Sequence, residues 1–204
     1  NVKPIEPVFL DFKKDLSQLK AKSGIPVLYK QNTSNDLFQL IYVFDMGNNN
    51  DKALGTAFDY IDYLGTSDMT PEQVKSEFYR LACNFRVSPG NERTYVVLSG
   101  LNENMPEAMK LFEKLMADAQ VNKEAYTNMV ADILKSRKDA KLNQMQNFRR
   151  LMNYGMYGPK SPATNILTET ELQTMDPQEL TDRIHNQNSY KHRIMYYGPT
   201  SEKE

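Results

Sequence analysis

The chain has 204 residues, enough for one domain or two small ones with a substantial buried core. Apolar residues make up 40% of it and charged ones 25%, which excludes a disordered or fibrous protein. With 25 basic and 26 acidic side chains the net charge is -1, so no overall field draws in nucleic acid or an anionic membrane.

Residues 1–15 read as a lead-in segment; Asn1-Val2-Lys3-Pro4 has neither a methionine nor a signal peptide's hydrophobic core. Residues 18–22 and 26–31 alternate as two strands joined at Ser23-Gly24, where the glycine supplies the positive φ of a tight turn. Residues 37–44 are nearly continuous apolar, β-favouring sequence, which predicts a central strand covered on both faces. From Lys52 the period becomes helical, with Ala53, Leu54, Ala57, Phe58, Ile61 and Leu64 on one side of the wheel. Thr70-Pro71-Glu72-Gln73 supplies an N-cap, a proline at the first helical position and a capping-box partner for a second helix that turns Val74, Phe78 and Leu81 inward. Residues 84–87 and 94–99 read as paired strands around Pro89-Gly90-Asn91.

Asn104 is placed to cap a third helix striped with Ala108, Leu111, Phe112, Leu115 and Met116. One long helix is expected over 123–153, its apolar positions interrupted by the polar run 135–141, where its middle would cross solvent or a cleft. Thr168 with Glu171 and Asp176-Pro177 with Glu179 signal two short helices, and 193–197 the last strand. The end, 198–204, reads as the opening of a further helix, so a piece of a longer polypeptide is expected, with one domain over 16–199 and the start of a following segment over 200–204. The order contains few βαβ units, which predicts an α+β fold with helices on one face of a mainly antiparallel sheet.

Chemistry is sparse along this chain. Thr56, Asp59, Tyr60 and Tyr63 share the helical face opposite the apolar stripe, at the spacing with which two imidazoles and a carboxylate address a metal ion. A threonine hydroxyl and a phenol are poor zinc ligands near neutral pH. Hydrogen bonding across helices is the expected use of Thr56, Asp59 and Tyr60, with no metal bound. The only cysteine, Cys83, excludes an internal disulfide and reads as buried structure, while His185 and His192 read as surface or helix-end residues. The basic run 135–141 with Arg149 and Arg150 reads as a solvated helix face. No glycine-rich phosphate loop occurs, and no stretch reaches the roughly 20 apolar residues that span a bilayer, so direct membrane insertion is not expected.

The segment 53–66, ALGTAFDYIDYLGT, resembles the "G-L-A-H-x-x-E-H-M-x-F-x-G-T" signature of the insulinase/pitrilysin family of zinc metallopeptidases, with Thr56, Asp59 and Tyr60 standing for its His, Glu and His. Asp132 is the nearest match to that family's further glutamate ligand. The hairpin 19–29, Phe44-Asp45-Met46-Gly47, Asn102-Glu103-Asn104-Met105-Pro106-Glu107-Ala108 and Ile194-Met195-Tyr196-Tyr197-Gly198 extend the resemblance over about 16–199. It implies an α/β-roll unit of the non-catalytic type, without catalytic or metal-binding residues of its own. Zinc would sit in the catalytic unit of the parent protein or a partner. The partners implied are other units of the same polypeptide, or a homologous catalytic subunit, and a peptide substrate. In the family's catalytic unit the substrate adds as a strand to a sheet edge. The matching stretch is Asn84-Phe85-Arg86-Val87-Ser88, so Phe85, Arg86, Val87 and Ser88 are the candidate peptide-binding residues. The family's substrate-binding Arg-Tyr pair belongs to a following unit, and Arg150 and Tyr157 match its spacing only by coincidence. The resemblance thus implies one wall of a peptide-holding chamber, with a protease-derived scaffold or assembly subunit as the alternative. A hydrolase built on Cys83 would need a histidine oriented by a third group.

Overall fold

The structure, a computed structural model, describes Pro7, Phe9 and residues 11–203, so much of the expected lead-in segment lies outside the described residues. Six strands form one sheet: β1 (Ser17–Lys20), β2 (Pro26–Gln31), β3 (Leu37–Phe44), β4 (Cys83–Pro89), β5 (Thr94–Leu101) and β6 (His192–Gly198). Their spatial order is β1-β2-β6-β3-β5-β4. Every neighbouring pair is antiparallel except β2 with β6, which run parallel from Val27↔Ile194 to Gln31↔Gly198. The chain thus returns at its end to insert β6 between the first hairpin and β3. Gly24, at φ +85°, makes the turn of that hairpin.

Among the described residues seven α-helices accompany the sheet: α1 (Leu54–Tyr60), α2 (Pro71–Arg80), α3 (Met105–Asp118), α4 (Lys123–Ala140), α5 (Gln144–Tyr157), α6 (Glu169–Thr174) and α7 (Gln178–His185). Residues Phe38, Leu40, Phe44, Val96, Leu98, Cys83, Tyr29 and Tyr196 share one face of the sheet and merge with the apolar sides of α1, α2, α3, α4, α6 and α7 in a single core. The α+β fold with helices on one face of a mainly antiparallel sheet is therefore as expected. The opposite face, with Leu28, Ile41, Val97, Met195 and Tyr197, takes no part in that core.

Four local expectations need correction. The apolar run of β3 is covered on both faces only toward its end: on the side away from the core Leu37 and Gln39 are exposed and Val43 is buried, while Phe38, Leu40 and Phe44 are buried on the core side. The first helix begins at Leu54 rather than Lys52, since the Asp51 carboxylate accepts the Ala53 N–H and holds the entry in a turn. Asn104 precedes α3 but does not cap it; its side-chain amide donates to the Leu81 carbonyl and ties α3 to the end of α2. The helix expected over 123–153 is two helices. Asn143 accepts the Gln146 N–H as the cap of α5, and Asn147 donates to the Lys141 carbonyl, so the ladder breaks at 141–143 and restarts.

Candidate functional site

The helix α1 is pinned by its buried side. Leu54, Ala57, Phe58 and Tyr60 enter the core, and the chain tightens into a 3-10 turn over Ile61–Tyr63. Tyr60 is fully buried, which corrects its expected place on the face opposite the apolar stripe. Its ring meets Tyr126 of α4 edge to face at 5.7 Å. Its hydroxyl donates to the Asn122 carbonyl at 2.6 Å and accepts the Asn122 N–H at 2.9 Å, so it fastens α1 to the start of α4. Both hydrogen-bonding directions of the phenol are used within the protein, and burial raises its pKa.

Thr56 and Asp59 face outward and, among the described residues, neither side chain bonds across to another helix, contrary to expectation. Asp59, Asp62 and Tyr63 share an open cavity of about 530 Å³ with Met129, Asp132, Ser136 and Arg137 of α4. The structure therefore brings Asp59 and Asp132 to one cavity, as the resemblance implies, and turns Tyr60 away from it. Desolvation, followed by the charge of Asp62, raises the Asp59 carboxyl above its ordinary value. Arg137, half-buried, donates to the Leu167 carbonyl at 2.7 Å, and its surroundings lower its pKa. The carboxylates of Asp59, Asp62 and Asp132 with no imidazole, a Tyr60 phenol already committed, and an arginine beside them do not fit a zinc ion. Among the described residues no three His, Cys, Asp or Glu side chains converge as metal ligands.

A second site lies at the end of the sheet. Among the described residues β4 pairs only with β5, and its other side is a free edge. The Leu101 N–H donates to the Ala82 carbonyl and the Gly90 N–H to the Arg93 carbonyl, which fixes the phase of the ladder between them. By that phase Asn84, Arg86 and Ser88 spend their backbone groups on β5, while Phe85 and Val87 point their N–H and C=O outward. Side chains alternate with the opposite consequence: Phe85 and Val87 pack on the core, and Arg86 is exposed on the open face. Alongside the edge runs a groove of about 710 Å³ lined by Ile61, Leu64, Val74, Phe78, Cys83, Phe85 and Leu115, with Asp62, Lys75 and Tyr79 among its polar residues. The helix α2 makes its wall, held by the capping box of Thr70 with Gln73 and by the Arg80–Glu77 pair in its last turn. Sequence periodicity places Val74 and Phe78 inward but does not show that they border a groove. That follows from α2 lying beside the last strand of the sheet.

The remaining candidates serve structure. Cys83 is buried, its thiol is raised by burial, and its sulfur lies 3.9 Å from the Leu101 carbonyl. His185 meets the Ala119 carbonyl at 3.1 Å, and His192 meets the Tyr190 carbonyl and stacks obliquely on Phe44. Neither histidine is engaged with Cys83. Arg150 and Tyr157 both lie on α5 and neither lines the groove beside β4; Tyr157 borders a separate cavity with Arg93 and Tyr95 at the β4–β5 turn. No described helix is long and apolar enough to cross a membrane.

The sequence matches no protein-family model and no curated protein. Solved structures do match it. The periplasmic protease PqqL from Escherichia coli superposes with a TM-score of 0.78 at 12% identity over 95% of this chain and 22% of its own. An inactive domain of a peptidase M16 from Pseudomonas fluorescens has a TM-score of 0.77 at 14% identity over 93% of this chain and 48% of its own. The ferredoxin protease FusC, solved in complex with Arabidopsis ferredoxin, has a TM-score of 0.78 at 11% identity over 97% of this chain and 22% of its own. This chain spans less than half the length of each. Its fold is that of one part of each of these longer chains.

Proposed function

We propose that this chain is a non-catalytic unit of an M16-type zinc metallopeptidase. It would form one wall of a peptide-holding chamber while another unit of the same polypeptide, or a homologous catalytic subunit, performs the zinc-dependent hydrolysis. The observation that carries this reading is the free edge of β4 beside an apolar groove, on the fold of a protease unit. An extended peptide satisfies its own backbone by pairing with such an edge, whatever its side chains, which suits a chamber that accepts many sequences. The α1 helix supports the non-catalytic assignment, because Tyr60 spends its hydroxyl on Asn122 and no imidazole stands near Asp59. The unit anchors peptide, and cleavage belongs elsewhere.

Two measurements test it. An unstructured peptide titrated into the chain should bind and be recovered intact after prolonged incubation; turnover by this chain alone would overturn the non-catalytic assignment. The longer polypeptide, or a subunit that copurifies with it, should contain an intact H-x-x-E-H helix.

The scaffold alternative is favoured by one feature. The apolar side chains Met145, Phe148, Leu151, Met152 and Met156 of α5 are all exposed, which is a surface for packing against another protein unit. If the chain binds no peptide and neither the polypeptide nor its partners carry an H-x-x-E-H, assembly is the role that remains.

A further inference from the structure

The β4 edge is not indifferent to sequence. Resting on the peptide-anchoring reading above, the geometry points to a preference for peptides in which an acidic residue is flanked by large apolar ones. The phase of the β4–β5 ladder decides this, because it fixes which peptide side chains face the groove and which face Arg86.

A strand that adds to β4 bonds to the outward N–H and C=O of Phe85 and Val87. Peptide residues opposite Phe85 and Val87 then project to the core side, as Phe85 and Val87 themselves do, and the one opposite Phe85 enters the apolar groove. The groove is walled by Val74, Phe78, Leu115 and Ile61, and at about 710 Å³ it has room for a leucine or phenylalanine side chain. Within it Asp62 and Lys75 carry opposite charges, so it favours neither sign. The peptide residue between the two anchors lies opposite Arg86 and projects to the open face. Arg86 is exposed and, among the described residues, no carboxylate pairs with it. Its neighbours on that face are neutral: Val97 lies across from it, Ser88 follows it, and Asn84 already accepts the Ser99 hydroxyl at 3.0 Å. An aspartate or glutamate opposite Arg86 makes a cross-strand ion pair, and a lysine there faces a like charge. This alternation holds whether the peptide runs parallel or antiparallel to β4, since residues two apart share a face in both cases.

Fluorescence anisotropy with three labelled nine-residue peptides tests the inference. Their centres are Leu-Asp-Leu, Leu-Lys-Leu and Ser-Asp-Ser, each flanked by threonines. The first should bind roughly two- to fivefold more tightly than the second, the size of a single cross-strand pair. Ser-Asp-Ser should bind about tenfold more weakly than Leu-Asp-Leu through loss of apolar burial. Arg86→Glu, at an exposed site, should reverse the order of the aspartate and lysine peptides. Val87→Pro removes an outward N–H on an edge strand, where proline is tolerated, and should weaken every peptide by about tenfold. Thermal melts confirm that both variants fold. Peptides that lose affinity to Val87→Pro but show no dependence on the central residue overturn the preference and leave edge anchoring standing. Peptides that fail to bind, or that bind Val87→Pro as well as the parent, overturn both.

Discussion

Tyr60 and Asp59 are adjacent on α1 and have opposite fates. Removing the Tyr60 hydroxyl leaves the half-buried Asn122 N–H without its partner, while the Asn122 carbonyl keeps the Tyr126 N–H, so Tyr60→Phe should cost about 1–2 kcal/mol of unfolding free energy in a urea titration. Asp59 instead has its folded carboxyl raised above the usual 3.8, so its ionised form opposes folding. Asp59→Asn should therefore raise the melting temperature at pH 7, and the gain should vanish as pH falls below about 3.8, where the unfolded carboxyl is also protonated. Glu171 has the reverse sign. The Lys52 ammonium at 2.6 Å, and then the Thr168 N–H and hydroxyl, hold it down at about 2 against an ordinary 4.5. Its contribution is complete above pH 4.5 and is lost as pH falls toward 2. Glu171→Gln should therefore lower the melting temperature at neutral pH, with the difference closing over that acid window. Melting curves of the two variants between pH 2 and 8 should converge on the parent from opposite sides.

At the scale of elements, the β4 edge depends on a glycine. Gly100, opposite Cys83 at φ +155°, leaves no room for a methyl: an added Cβ would lie 2.5 Å from the Cys83 sulfur and collide with the backbone before it. Gly100→Ala should cost about 1–3 kcal/mol and loosen β4, which hydrogen exchange at Asn84 and Arg86, the residues bonded to β5, would register as lost protection. Elements whose signals are local were legible in the sequence. The capping boxes of α2 and α6, the Gly24 turn and the bounds of β3 all stand where the residues place them. What was not legible depends on partners distant in the chain. The helix expected over 123–153 loses its apolar period across the polar run 135–141, which reads equally well as a solvated stretch of one helix, and only the side-chain bonds of Asn143 and Asn147 reveal the break. A helical wheel puts Tyr60 outside, whereas the start of α4 approaches α1 and gives the phenol a buried partner. The stretch 84–88 was identified by resemblance, but its free edge follows from strand order and its outward residues from the ladder's phase. Neither is encoded within those residues.

For the whole molecule, the distribution of apolar surface is lopsided. One face of the sheet is sealed by helices, and the other exposes Leu37, Tyr95, Met195 and Tyr197, while α5 exposes Met145, Phe148, Leu151, Met152 and Met156. None of the buried core residues lies on α5. Its helical state therefore rests on its own propensity and the Asn143 cap, a weak basis for a helix of 14 residues. The matched proteases hold more than twice as much chain, so on the proposed reading a neighbouring unit covers these surfaces in the parent protein. Hydrogen exchange separates this from an arm that is free in every context. In this chain alone the amides of 144–157 should exchange far faster than those of β3 and β5, which lie inside the sheet. In a polypeptide that includes the neighbouring unit they should be protected by at least about tenfold more, the change that one lost opening of about 1.4 kcal/mol produces. Replacing Phe148 and Met152 with aspartate should abolish that protection while leaving the melting of this chain unchanged, because neither side chain belongs to its core. Equal exchange in the short and long polypeptides would show that the stripe packs against no neighbouring unit.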